Sequence, residues 1–363
     1  MSLNMEPTIS VEEKKGKRIV HDYGHGAQGW TLLFGSVNKA IAAFEASVLK
    51  KNQSLDSIKE KETITIIGYG CVGLTTALTL HQRGYKNLKM LGESKDLNAS
   101  NIAGGGFNTV PLLKLDDDNV RSRINAMVTD SFFIYKSIYE DKNETFGFLK
   151  ESIKWLRYIC SEPNRYETGL KHLASLNIVE PAEKVRLITG SIKDPEFDDN
   201  FWGFHTFGIN TDLYLKLAFK KLRSLGVPCK ICKIDDFEEV ESEIIFNCTG
   251  LGSRELNSDK SLYPCSGHGF ILHNQPHEVE QGKEVNFCIS LSRVPGLDNS
   301  PYQGALYMYP KDGYTFIGGT SVHHYDGSDE KTNQEELRKL MVRARYFFHG
   351  LKPEDKKYTI PKF

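Results

Sequence analysis

Residues 64–93 read ITIIGYGCVGLTTALTLHQRGYKNLKMLGE. Residues 64–67 are a short β-branched apolar run, the pattern of a strand buried on both faces. The run leads into Gly68-x-Gly70-x-x-Gly73, then an apolar-periodic helix (Leu74, Ala77, Leu78) that stops near Gly84. A second strand over 88–91 follows, with Glu93 twenty residues past Gly73. Gly68 allows the tight turn, Gly70 lets a pyrophosphate approach the backbone, and Gly73 lets helix and strand pack closely. The helix N-terminus offers unpaired N–H groups and a positive dipole end to phosphates. Glu93 can accept hydrogen bonds from a ribose. With strand, helix, second strand and acid in register, the stretch predicts a dinucleotide site.

Immediately upstream, residues 50–62 (KKNQSLDSIKEKE) are polar and charged, a linker with at most a helical turn. Before it, residues 9–12 and 18–23 are two short strand candidates around a charged tip, which reads as a hairpin. Next come His21-Asp-Tyr-Gly24-His25-Gly26-Ala27-Gln28-Gly29-Trp30-Thr31 and a helix to about Lys50, marked by Leu33, Val37, Ile41, Phe44 and Val48. Three glycines ahead of a helix allow close backbone approach to a ligand, and Thr31 can cap the helix or contact that ligand. His25 alone reads as a packed or turn histidine.

Downstream, Asn98-Ala99-Ser100-Asn101 precedes a second glycine cluster, Gly104-Gly105-Gly106-Phe107, able to pass beneath phosphates and alongside a flat ring. Residues 126–139 and 146–160 read as helices, and no chemistry-bearing constellation falls between 115 and 205. Asn210 or Thr211 can cap a helix through Leu225, closed by Gly226. Strands over 229–234 and 244–247 follow, the latter ending in Cys248-Thr249-Gly250, where backbone typically meets a cofactor at the carboxyl edge of a parallel sheet. From Phe270 to Thr320 the runs FILHN, NFCISLS, ALYMYP and YTFIGGT alternate like an antiparallel sheet, and 333–348 is an amphipathic helix.

The bounds agree with an α/β enzyme. A chain of 363 residues suffices for two domains or one large one. Charged residues are 26% and the formal net charge is −1, so there is no electrostatic footprint for nucleic acid or a membrane surface. The apolar stretch around 64–80 is too short and too glycine-punctuated for a membrane span. Seven cysteines without regular spacing favour reduced thiols. With no signal-peptide pattern, a cytoplasmic protein is expected. Cys229 and Cys232 have no second pair for zinc, and no metal site is expected.

Four segments together resemble the D-amino-acid oxidase family, FAD-dependent enzymes that include D-aspartate oxidases. They are IIGYGCVGLTTALTLHQRG, NASNIAGGGF, the block from GFHTFGINTDLYLKLAFKKL through FEEV to FNCTG, and VHDYGHGAQGWTLLFG. The last is similar to the family's C-terminal signature and stands here near the N-terminus. The order looks like a circular permutation, with 50–62 joining the family's last helix to its first strand. The resemblance implies a Rossmann-like FAD-binding domain with a parallel sheet (1–114 and 206–262). It also implies an α+β substrate domain on a mostly antiparallel sheet (115–205 and 263–350).

Carried over by motif, Gly68, Tyr69, Gly70, Cys71, Val72 and Gly73 would line the ADP phosphates, and Glu93 with Ser94 the ribose. Asn98, Ala99, Ser100, Gly105 and Gly106 would meet phosphates and flavin. Ile234 would pack by the adenine with Thr249 and Gly250 nearby, and Gly26, Ala27, Gln28, Gly29, Trp30 and Thr31 would surround the flavin's pyrimidine edge. Substrate Cα hydride would pass to flavin N5 and molecular oxygen would reoxidise it. Tyr307 would help hold the carboxylate of an amino acid or amine substrate.

Four family features are missing, among them an Arg-Gly-Gln-like turn, which here reads His268-Gly269-Phe270, and the flavin-adjacent aromatic, which falls on Gln28. The second site tyrosine falls on Gln303, and no arginine matches the family's carboxylate grip, a buried pair whose breakage costs about 3–5 kcal/mol. Another cation (Lys362, Arg254, Arg293 or His268) would have to replace it. Otherwise the protein oxidises a different, sarcosine-like amine, or keeps flavin without catalysis. The oligomeric state stays open, a homodimer included.

Overall fold

The computed structural model describes residues 6–94, 99–108, 117–161, 169–185, 201–273, 287–294, 297 and 299–349. Two compact units emerge: Met1–Ala103 with Thr109–Lys154 and Ile209–Tyr263, and Gly104–Asn108 with Trp155–Gly208 and Pro264–Phe363.

The first unit holds a six-stranded sheet in the order Thr8–Lys14, Lys17–Tyr23, Ile244–Asn247, Thr63–Ile67, Asn87–Gly92, Cys229–Ile231. The outer pair is the expected hairpin, turning through Lys15 and Gly16, both at positive φ. Every other pairing is parallel. The central strands are buried along nearly their whole length, as their unbroken apolar runs require. The register sets His21, Asn247, Ile67 and Leu91 level, so four chain segments leave the sheet at one carboxyl edge.

Helix Gly29–Lys50 passes the length and composition test for a membrane span, with mean hydropathy 1.3. Its apolar residues instead form the unit's core, against helices Cys71–Gln82 and Asp118–Tyr139. A Cβ at Gly35 would stand 2.2 Å from Met127 O, and Gly35 N–H donates to Ser131 Oγ at 2.9 Å. That close packing groups Asp118–Tyr139 with the first unit, where the sequence reading assigns it to the second. Residues 50–62 are not a loose tether. Ser54 caps the short helix Leu55–Lys61, whose Lys59 O and Glu60 O accept from Lys86 N–H and Asn87 Nδ2.

The second unit is built on a seven-stranded sheet, Gly269–His273, Tyr314–Gly318, Leu306–Lys311, Phe287–Leu291, Ile153–Cys160, Phe201–Ile209, Glu183–Val185. The first four pair antiparallel, as their alternation predicts; Phe287–Leu291 then pairs parallel with Ile153–Cys160. Here the predicted helix over 146–160 is wrong. The chain makes a 3-10 turn, Gly147–Ser152, and then a strand. The segment IKWLRYIC is rich in β-branched and aromatic residues and has sheet partners available, and those override a helical apolar spacing. Leu306, Met308 and Ile317 pack with Leu340 and Phe347 of helix Glu330–His349 to form the core on one face.

Candidate cofactor site

Gly68 adopts φ +119°, and a Cβ there would lie 2.4 Å from Cys248 O. At Gly73 a Cβ would meet Gly68 O at 2.1 Å. Both obstacles are backbone, so turn and helix approach each other only through glycine. Gly70 is the N-cap of Cys71–Gln82 and offers no side-chain cap. Ser100 reaches over instead: Cys71 N–H donates to Ser100 Oγ at 3.2 Å, and that hydroxyl donates to Cys71 Sγ at 3.4 Å. Val72 is buried beside it. Tyr69 contributes backbone alone to the turn. Its hydroxyl lies 3.1 Å from Met90 O and 3.0 Å from Lys230 O, and its ring covers Gly92.

Asn247, fully buried, ties the sheet edge together. Its Oδ1 accepts from Thr249 Oγ1 at 2.8 Å, Thr249 N–H at 3.3 Å and Ser253 Oγ at 3.3 Å. With its oxygen so engaged, the amide Nδ2 must donate to His21 Nδ1, 3.1 Å away. Neutral His21 therefore carries its proton on Nε2, which lies 3.3 Å from Glu12 Oε1 without hydrogen-bond alignment. Burial lowers the His21 pKa, against the opposing pull of Glu12. Thr249 spends its side chain on this network, and Gly250 follows at φ +58°.

The segment after His21 turns through Gly24, Gly26 and Ala27, all at positive φ. Gln28 N–H closes the turn on His25 O at 2.9 Å. Gln28, not Thr31, is the N-cap of helix Gly29–Lys50, and it makes no side-chain cap bond. Gly29 lies beside Cys71, whose Sγ a Cβ would meet at 3.8 Å, so this turn and the Gly70–Gly73 turn are neighbours. Trp30 points inward, its ring edge-on to Tyr214 at 4.9 Å and its carbonyl accepting from Tyr135 O–H at 2.9 Å. Thr31 is also buried.

Glu93 and Ser94 stand exposed past the end of strand Asn87–Gly92, with Glu93 acting electrostatically on Lys233. A cavity of about 190 Å³ opens nearby, walled by Leu91, Ile234 and Val240 and rimmed by Lys89, Lys230 and Lys233. Ala99 is exposed; Asn98 lies outside the described residues. Among the described residues no group of three or more His, Cys, Asp or Glu is placed to hold a metal ion.

In the second unit the glycines of 104–106 have a partner that the sequence reading missed. A Cβ at Gly104 or Gly106 would stand 2.7 or 2.5 Å from the Tyr309 ring. The flat ring that these two glycines accommodate is the protein's own. Gly105, between them, takes φ +75°. Asn108 Nδ2 donates to Tyr309 and Tyr158 hydroxyls, each at 3.1 Å. Tyr309 was detectable as the residue two positions past Tyr307 on one strand, hence on the same face. Tyr307 itself lies over Gly318, where a Cβ would be 2.3 Å from its ring. Burial raises its hydroxyl to about 12, so it stays a neutral donor.

The cation candidates divide. His268 is engaged on both ring nitrogens, with Thr320 Oγ1 at 3.0 Å and Asn333 Oδ1 at 2.8 Å. Arg254 donates to Leu262 O, Arg293 is exposed, and Lys362 lies outside the described residues. Arg343, which the sequence reading did not consider, is buried and donates to Ala305 O and Gly319 O.

Residues 63–360 match the protein family DAO, described as FAD dependent oxidoreductase. The D-amino-acid oxidase of Dictyostelium discoideum is 23% identical over 304 residues, 82% of this chain and 78% of that protein. Among solved structures, the L-proline dehydrogenase of P. horikoshii superposes with TM-score 0.52 at 16% identity, covering 80% of this chain and 78% of the other. The glycine oxidase of Geobacillus kaustophilus gives 0.51 at 13% identity, covering 79% and 78%. At such identities these two likenesses establish the fold.

Proposed function

We propose that this chain, which belongs to the DAO family of FAD-dependent oxidoreductases, is an oxidase of an amino acid or a closely related amine. Bound FAD supplies the hydride acceptor and passes the electrons to oxygen, giving peroxide; the oxidised substrate is an imine that water hydrolyses.

The observation that carries the reading is the levelled carboxyl edge, where turns 22–31, 68–73, 92–94 and 248–253 leave one sheet together. Its donor set fits a dinucleotide. Gly70 leaves the N-terminus of Cys71–Gln82 without a side-chain cap of its own; Ser100 takes the Cys71 N–H, and the dipole end would still favour phosphates. Glu93 is an exposed acceptor for ribose hydroxyls, and Ile234 with Leu91 gives an apolar wall for adenine. The positive end of helix Gly29–Lys50 would face the flavin's pyrimidine edge and favour negative charge there. Tyr307, neutral at physiological pH, would donate to a substrate carboxylate. The protein's share is positioning and electrostatics.

We also read the chain order as a circular permutation. In support, the family match begins at Thr63, while residues ahead of it supply two strands of the same sheet and a core helix of the same unit. Seven unpaired thiols support a reducing, cytoplasmic setting.

A second reading, oxidation of a secondary amine that presents no carboxylate, is favoured by the engaged state of His268, Arg254 and Arg343. One experiment decides between the readings and tests both. Purified protein is mixed without oxygen with D-amino acids and secondary amines, and flavin absorbance is followed, with peroxide measured after air is admitted. Bleaching by D-amino acids supports the first reading and bleaching by secondary amines alone supports the second. Flavin that no amine bleaches contradicts both.

A further inference from the structure

Arg343 is a buried cation at a position where an apolar residue would serve. It is 3% exposed, three residues past Leu340 and four before Phe347, which helix Glu330–His349 sends into the core. Among the described residues no carboxylate pairs with it. Glu336, whose charge acts on it, is bonded to Lys339 at 2.8 Å. The Arg343 Nε is sealed from solvent without a hydrogen bond. Burying a guanidinium on these terms is costly, and a well-packed apolar side chain in such a place is often neutral or stabilising. Stability alone does not call for an arginine here.

What the guanidinium holds is the open end of a hairpin. Its Nη1 donates to Ala305 O and to Gly319 O, the latter at 3.0 Å. These carbonyls belong to the residues just outside strands Leu306–Lys311 and Tyr314–Gly318. The last rung of that ladder sets Tyr307 opposite Gly318. The two chains run close there, and a Cβ at Gly319 would stand 2.2 Å from Ala305 O. Gly304 and Gly319 take φ +153° and +140°, so the backbone at this end has little stiffness of its own. Gly304 also backs onto the guanidinium, where a Cβ would lie 3.0 Å from Arg343 Cζ. Because the Tyr307 ring lies over Gly318, the rung that the guanidinium closes is the one that places the Tyr307 hydroxyl.

We propose that Arg343 is a positioning residue for substrate binding. By tying Ala305 O to Gly319 O across the open end of the hairpin, it holds Tyr307 where its hydroxyl can donate to a substrate carboxylate. This rests on the first reading above, in which Tyr307 is that donor. Arg343 acts from the other face of the sheet. Its helix packs against Met308 and Ile317, which alternate with Tyr307 and Gly318 along the two strands. It therefore does not replace the missing carboxylate-gripping arginine; it steadies the donor that remains.

The test is anaerobic flavin reduction of the holoprotein by the D-amino acid that bleaches wild type fastest. Stopped-flow absorbance separates the substrate dissociation constant from the limiting rate. Tyr307→Phe is expected to weaken substrate binding about tenfold, the worth of one hydrogen bond to a charged group, with little change in limiting rate. Arg343→Met is expected to weaken binding about as much and Arg343→Lys less, both with wild-type flavin content. The double variant Tyr307→Phe/Arg343→Met is expected to bind no more weakly than Tyr307→Phe alone, because Arg343 acts only through that side chain. Additive losses in the double variant overturn the role. So do Arg343 variants that lower the melting temperature yet keep wild-type substrate binding. If Arg343→Met does not fold, the same cycle with Arg343→Lys decides; if neither folds, the guanidinium serves stability and the role falls. A wild-type flavin that no D-amino acid bleaches overturns the first reading, and the role with it.

Discussion

Two glycine clusters, one in each unit, are glycine for different reasons. At Gly68 and Gly73 an added Cβ runs into carbonyl oxygens, Cys248 O at 2.4 Å and Gly68 O at 2.1 Å. Those carbonyls belong to the residues just past two paired parallel strands, whose N–H groups donate to Leu91 O and Ile67 O, so the backbone there cannot shift without straining those bonds. At Gly104 and Gly106 the obstacle is one side chain, the ring of Tyr309. The first cluster follows from the fold itself; the second follows from a packing partner far along the chain. A spacing rule therefore finds the first and says little about the second.

The largest expected effect lies at the backbone-limited site. Gly73→Ala should lose about 3 kcal/mol or more in urea unfolding, and no single smaller side chain should restore it. Next comes the clamp beside it. Asn247→Ala removes the partner of His21, Thr249 and Ser253 at once, and should cost about 2–3 kcal/mol in the same assay.

The side-chain-limited site should behave differently. Gly104→Ala should cost about 1–2 kcal/mol, and Tyr309→Leu in the same chain should recover most of it. A double-mutant cycle measures that coupling. An uncoupled pair would dissolve the distinction between the two clusters.

Acid probes the clamp without mutation. His21 has its pKa lowered by burial in the folded state, so the unfolded chain binds its proton more readily. Its contribution to stability is present above the ordinary imidazole value of about 6.5 and is lost as pH falls through the lowered one. Protonated Nδ1 would also face the Asn247 amide donor. Thermal melts from neutral pH downward should therefore fall more steeply for wild type than for His21→Gln. The smallest effect is at Ala27, held at φ +63°: Ala27→Gly should gain about 0.5–1 kcal/mol.

The same contrast explains what the sequence could reveal. Gly68-x-Gly70-x-x-Gly73 was legible because backbone geometry imposes a fixed spacing, and the hairpin because Lys15-Gly16 meets its turn's demand for positive φ. The alternation from 270 to 320 named the antiparallel strands for similar local reasons. The strand Ile153–Cys160 was misread because its apolar residues also fit a helical spacing, and only its sheet neighbours decide the matter. Tyr309 left a signal in the two-residue period from Tyr307, but nothing local says that its ring fills the glycine cluster. Arg343 was invisible for a related reason. A helix position does not disclose which carbonyls it will meet.

The central claim is that a strand and turn supplied from ahead of residue 63 complete an FAD site with the Gly68 turn. The most direct measurement is the visible absorption spectrum of the full chain after reconstitution with FAD and exhaustive dialysis. The account predicts retained flavin bands at a stoichiometric level, lost in a variant whose turn 24–29 is replaced by a folded-state-neutral linker. A preparation that emerges colourless, or one that keeps its flavin after that replacement, would contradict it.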